Sequence, residues 1–250
     1  MRDEDAGAVI AGLILLAMMA DNRHPKGGPV YGPQLPPPPS VDQWAPALRE
    51  PCAARGIPEL YALRWIAMES GGNPCAIGNP AEAGPDGQPR EVGLAQSYNP
   101  DDLAAAGISA GEVRAYCVRG RNNTVTYKGH VVQGFSDRMT RELTEAELAQ
   151  QAQLAAATIA RAMDGAARKM RAAGASWPER DWWALVKLQH NLPGLASGVA
   201  VVARALGRAP ASWREFRDHA LSVVYDPQTE LHRADFPHEL DIAERAAEVV

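Results

Sequence analysis

The chain has 250 residues and a mass of 26.8 kDa, enough for one good core with appendages or for two small domains. Its net charge of −5 and pI near 5.7 argue against a nucleic-acid binder, which would carry a basic surface. Cys52, Cys75 and Cys117 are too few and too scattered for a disulfide scaffold or a zinc site, and the six histidines show no metal-ligand spacing, so no metal and no cofactor are expected. One cysteine pair could bridge in an oxidising compartment, leaving one thiol free; nothing in the sequence selects the pair.

Residues 6–20, AGAVIAGLILLAMMA, carry no charge. The run is shorter than the roughly 20 residues that span a bilayer as a helix. A signal peptide would want a basic start, and here Arg2 is followed by Asp3, Glu4 and Asp5; Met18 also stands where a cleavage site wants a small residue. A removable signal would thus be poorly formed, and residues 1–23 read first as an apolar helix that seeks a membrane or packs on a partner protein. Residues 24–40 follow as a proline- and glycine-rich linker, in which Pro36 to Pro39 favour extended polyproline II.

From residue 41 the pattern becomes mainly helical. One helix is expected over Ala47–Arg55. The next opens with Pro58 at its first position and Glu59 at the positive end of the helix dipole. Its residues Tyr61 to Met68 are apolar on almost every face, which predicts burial on almost every face. Gly71-Gly72 stops it, so Glu69 falls in the last turn. Desolvation and the negative end of the dipole would both favour the protonated form of its carboxyl there.

Residues 79–91 are a polar loop, and at most a small β component is expected at 92–97. Pro100-Asp101-Asp102 opens a short helix ending at Gly107, and Ser109-x-x-Glu112 is a capping box for another near 110–118. Thr124–Tyr127 and His130–Gln133, joined by Lys128-Gly129, read as a β-hairpin within an insertion near 118–140. Thr144-x-x-Glu147 is a second capping box, for a long alanine-rich helix that Gly174 closes. Ser176-x-x-Glu179 is expected to cap the helix that carries Trp182, Trp183 and Leu185 into His190-Asn191. An apolar helix then runs to about Leu206. Residues 207–250 read as a helical extension, with Ser212-x-x-Glu215 capping one helix and Pro237 opening the last.

Glu69-Ser70, then Asn73-Pro74-Cys75-Ala76, then Gly93-Leu94-Ala95-Gln96 resembles the signature of the soluble lytic transglycosylase and goose-type lysozyme superfamily. The resemblance implies a lysozyme-like, mainly α domain over 41–206 with a small β-hairpin. It makes Glu69 the catalytic acid and places Ser70, Gln96 and Tyr98 along the sugar cleft. Relatives end a later helix with an Ala-Tyr-Asn-Ala-Gly-Pro type of motif facing that Glu; Asn191 matches its Asn, and His190 stands in the place of its Tyr. Two departures are visible: the 79–91 loop is long, and Gly78 occupies a position where relatives often carry Ser.

The implied substrate is the β-1,4 bond between N-acetylmuramic acid and N-acetylglucosamine in peptidoglycan. A lytic transglycosylase needs one carboxylate, because the sugar's own 6-hydroxyl attacks. A hydrolytic muramidase of the inverting kind needs a second, roughly 6.5–9.5 Å away, to activate water. Glu82, Asp86, Glu91, Asp101 and Asp102 are candidates by position, yet none falls on a matching motif, so the lyase ranks first. No Gly-x-Ser-x-Gly elbow, His-Glu-x-x-His helix or phosphate loop competes. The rival reading is a non-catalytic structural component of a phage virion or secretion apparatus. Either way the expected setting is virion-associated or periplasmic, at the cell envelope. The expected partners are glycan strands and the proteins of such a machine, with membrane contact through residues 6–20.

Overall fold

The helix that carries Glu69, expected to be buried on almost every face, is buried along one: Tyr61, Ala62, Trp65 and Ile66 are buried, whereas Leu60 is 62% exposed and Ala67 is exposed, because the packing elements cover one side of it. The computed structural model describes residues 39–76, 93–96, 99–107, 116–127, 130–223 and 236–250, all within one compact unit over 35–250. The apolar segment 6–20, most of the proline linker, the 79–91 loop, Gly78, Tyr98 and the Ser109-x-x-Glu112 box lie outside the described residues.

The architecture is mainly α. A 3-10 turn, Val41–Trp44, is capped by Ser40 and Gln43 and runs directly into α1, Ala45–Ala53. Helix α2 is Glu59–Ser70, with Pro58 as its extended N-cap and Gly71 ending it in the left-handed conformation at φ 63°. Helix α3, Pro100–Ala106, is capped by the Asn99 side chain, which accepts from the Asp101 N–H. Helix α4, Glu145–Ala173, has the full Thr144–Glu147 capping box and ends at Gly174. Helix α5 is Glu179–Asn191, the short α6 is Pro193–Ala196, and α7 is Gly198–Leu206. Helices α8, Trp213–Val223, and α9, Phe236–Ala246, complete the chain with a terminal 3-10 turn, Ala247–Val249.

The β component is one antiparallel pair, β1 (Cys117–Tyr127) and β2 (His130–Met139). Its tip has the expected register, Tyr127 opposite His130 and Thr124 opposite Gln133, but the strands continue to Cys117 opposite Met139, with register shifts around Arg119. Two expectations are corrected here. The helix near 110–118 cannot reach its expected end, because Tyr116 lies in a turn and Cys117 begins β1. The N-cap of α5 is Pro178, one residue before Glu179, so the expected Ser176 cap is not the one the helix uses. Residues 93–96 make a turn; Gly93 at φ 78° and Gln96 at φ 49° are left-handed, and such backbone cannot run extended.

The core explains the alanine-rich sequence. Ala152, Ala155, Ala156, Ala162 and Ala166 of α4 are all buried, so its small face lets neighbouring helices approach closely. Against it lie Trp44 and Leu48 from the N-terminal elements and Trp183, Leu185 and Leu188 from α5. Tyr61 of α2 stacks on Trp183 at 4.5 Å, and its hydroxyl donates to the Trp183 carbonyl at 2.9 Å. The C-terminal helices are not an appendage to this core: Trp213, Phe216, Leu240 and Ala243 belong to the same buried cluster.

A satellite cluster of Cys75, Tyr116, Cys117 and Met139 surrounds a disulfide between Cys75 and Cys117, 42 residues apart. The bond ties the loop after α2 to the base of the hairpin. A chain-entropy estimate for a closed loop of this size is about 4 kcal/mol. The third cysteine, Cys52, is a buried free thiol, and burial pushes it up to about 11. Among the described residues no helix is long and apolar enough to cross a membrane.

Candidate active site

Glu69 lies where its helix ends. Ser70 is one residue further, and its hydroxyl sits 3.1 Å from the Ile66 carbonyl and 2.8 Å from the Leu94 carbonyl while accepting from the Gly72 N–H at 3.2 Å. Ser70 thus joins the last turn of α2 to the Gly93–Gln96 turn. Gln96 is buried, and its amide donates to the carbonyls of Ala76 at 3.0 Å and Gly93 at 2.8 Å. The same residue holds a left-handed φ of 49°, a strained setting for a side-chain-bearing residue. The donor groups of Ser70 and Gln96 are therefore committed to backbone. Asn73 adds an Asx turn, its side chain accepting from the Cys75 N–H at 2.9 Å.

Opposite this end of α2 stands the last turn of α5. Lys187 and Asn191 are four residues apart and so share a helix face. The Lys187 ammonium donates to Glu69 Oε1 and, at 3.0 Å, to Asn191 Oδ1. It also lies 4.4 Å above the Trp65 ring, a cation–π arrangement. Asn191 Nδ2 donates in turn to Glu239 Oε2 at 2.6 Å. His190 Nε2 is 3.7 Å from Glu69 Oε1, and its ring packs on Trp65 at 4.9 Å. The site is a row of polar groups, Glu69–Lys187–Asn191–Glu239, with aromatic rings on one flank.

Exposure separates their roles. The Lys187 side chain is 1% exposed and cannot meet a ligand, whereas that of Glu69 is 15% exposed and can. Burial pushes the Lys187 ammonium down to about 7, and the Glu239 charge opposes that shift. Burial, then the charges of Lys187 and Arg161, hold His190 well below its ordinary value, so its ring is neutral near pH 7.

Of the residues singled out from the sequence, Glu69, Ser70, His190 and Asn191 are brought together, Gln96 supports them from the adjoining turn, and Tyr98 lies outside the described residues. Among the candidate second carboxylates, Asp102 is buried on α3 and bound by Arg161 Nε at 2.9 Å and Thr158 Oγ1 at 3.1 Å, which removes it as a base. Asp101 is exposed on the same helix, and Glu82, Asp86 and Glu91 lie outside the described residues.

Three members of the site were not anticipated. Lys187 had a readable signal: it is the lone cation in the apolar run Trp182 to Leu188, one turn before Asn191. Trp65 was assigned only to the buried face of its helix. Glu239 carried no signal, since nothing local ties it to a helix end far earlier in the chain. Among the described residues no group of acidic, His and Cys side chains could hold a metal ion. No protein-family model matches the chain, and no curated protein matches it either.

Proposed function

We propose that the chain is a peptidoglycan-cleaving lytic transglycosylase with a lysozyme-like fold, acting on the MurNAc-β-1,4-GlcNAc bond through Glu69. The observation that carries this reading is the convergence of three distant sequence pieces at the end of one helix, the one that carries Glu69. The Ser70–Leu94 contact draws the Gly93–Gln96 turn to the end of the Glu69 helix, and α5 brings His190 and Asn191 to the same place.

In this reading Glu69 donates its proton to the glycosidic oxygen as the bond from C1 to that oxygen breaks. The muramoyl 6-hydroxyl then bonds to C1 and returns its proton to the Glu69 carboxylate. The balance closes without water, and the product carries a 1,6-anhydro end. The setting that suits such an activity is a phage virion or an envelope-spanning machine that must open the wall locally, with residues 1–40 serving attachment.

Glu69→Gln keeps the side-chain shape and removes the transferable proton. Clearing of purified peptidoglycan in a zymogram should fall by at least about a hundredfold. Mass spectrometry of the wild-type products should find anhydromuropeptides, one water lighter than reducing-end muropeptides. Reducing ends as the main product would replace the lyase by a hydrolase and direct attention to Glu82, Asp86, Glu91 and Asp101 for the base.

The Lys187–Glu69 ion pair favours a second reading, in which the two charges fasten α2 to α5 in a non-catalytic structural component. No clearing by the wild type at any pH would select it.

A further inference from the structure

We infer that Lys187 is the positioning residue of the site: its ammonium holds the Glu69 carboxyl at the junction of α2 and α5 and confines the proton-donating form of that carboxyl to acid conditions. The inference rests on Glu69 being the acid for its catalytic meaning, but its physical content is independent of any substrate.

The geometry makes the case. Lys187 is buried, and its ammonium contacts Glu69 Oε1, Asn191 Oδ1 and the face of Trp65. A cation kept out of water can be tolerated only beside anions and dipoles, so the carboxylate form of Glu69 is what stabilises it. The converse follows: an ammonium in contact favours the carboxylate over the acid and opposes the desolvation that a helix-end Glu would otherwise feel. Asn191 cannot take over this task, because it is neutral and its amide is held by Glu239.

Other charges around the pair do not supply a substitute. From α5, His190 is neutral near pH 7. From α9, Glu239 faces Lys187 and Asn191, adding a second negative charge that partly offsets the burial that lowers the lysine. From α4, Arg161 is paired with Asp102, and Lys169 contacts Gln189 and the Pro193 carbonyl. On α2 itself, Glu59 pairs with Arg49 of α1 at 3.3 Å, and Arg64 is the remaining charged residue. Asp42, Glu50 and Glu248 on the adjoining turns and α1 are exposed. Among the described residues, Lys187 is the cation in contact with Glu69.

The test is a carbon-13 NMR titration of the Glu69 carboxyl, assigned by its loss in Glu69→Gln, in the wild type and in Lys187→Met. The wild-type midpoint should lie below the ordinary carboxylate range, and in Lys187→Met it should rise by at least about one pH unit. The alkaline limb of the pH profile for muropeptide release should move up by the same amount, whatever happens to its height. Equal midpoints in the two proteins, or an unmoved profile accompanied only by a lower melting temperature, would overturn the inference. Should Lys187→Met not fold, the wild type still decides: a Glu69 midpoint at or above the ordinary range overturns it, and one below supports it. A wild type that releases nothing while Glu69 still titrates low, and shifts upward in Lys187→Met, would defeat the transglycosylase reading and leave the electrostatic role of Lys187 standing.

Discussion

Two adjacent glycines after Glu69 do different work. Gly71 at φ 63° ends α2 with open space where a Cβ would be. Gly72 at φ 87° has no such room: a Cβ would fall 2.9 Å from the Pro39 carbonyl oxygen and 3.1 Å from the Val41 nitrogen. Its own carbonyl accepts from Trp44 Nε1 at 2.8 Å, so the chain entering the domain lies directly against the end of α2. Gly71→Ala should cost about 1 kcal/mol, the left-handed penalty alone. Gly72→Ala should cost clearly more, because backbone must also move aside. Urea midpoints of the two variants give the comparison; equal losses would mean that the Pro39–Val41 segment yields freely.

At the scale of elements, the start of α4 shows what a local code can do. Thr144 caps the Glu147 N–H, while Glu147 accepts from the Thr144 N–H at 2.9 Å and from both Arg141 guanidinium nitrogens. The Arg141 bonds first, then those from Thr144, hold the Glu147 carboxyl down at about 2 against an ordinary 4.5. A carboxyl lowered in the folded state contributes stability above its unfolded value and loses it as pH falls toward the folded one. Thr144→Ala should therefore lower stability by about 1 kcal/mol at neutral pH. In Glu147→Gln the deficit relative to wild type should narrow as pH falls from 4.5 toward 2, as thermal melts at stepped pH would show. A deficit independent of pH would mean that the cap acts by shape and not by charge.

For the whole molecule, the decisive feature is how the chain closes on itself. The C-terminal helices bury Trp213, Phe216, Ala220, Leu240, Ala243 and Ala246 in the same core that surrounds α2. Glu239 reaches the site from α9, and Arg217 of α8 pairs with Asp241 and Glu244 of α9. Deleting residues 207–250 should therefore abolish the cooperative unfolding transition, since it would expose apolar faces of α5 and leave Asn191 Nδ2 without its Glu239 acceptor. Circular dichroism against urea gives the readout, and a truncated chain with a sharp transition near the wild-type midpoint would show that α8 and α9 are dispensable.

Much of the helical content was legible in the sequence because its signals are local. Thr144-x-x-Glu147, the Ser212 cap, Pro100 at the start of α3 and the glycines at 71, 107 and 174 each act within one helical turn, so neighbouring residues suffice to read them. The catalytic-helix reading also rested on nearest neighbours: apolar residues from Tyr61 to Met68, then a carboxylate, then glycine. Where competing local signals met long-range contacts, the contacts decided. Cys117 entered a strand and bonded Cys75, against the expected helix to 118, because loop closure and a buried sulfur pair depend on residues far apart in the chain. The Gly93–Gln96 segment became a turn because Ser70 and the carbonyls of Ala76 and Gly93 hold it there. The electrostatic surroundings of Glu69 belong to this second kind: its helix alone favours a protonated carboxyl, and only the packing of α5 and α9 sets a buried lysine against it and a second carboxylate against Asn191. Electrostatic neighbours act through space, over distances that sequence separation does not measure.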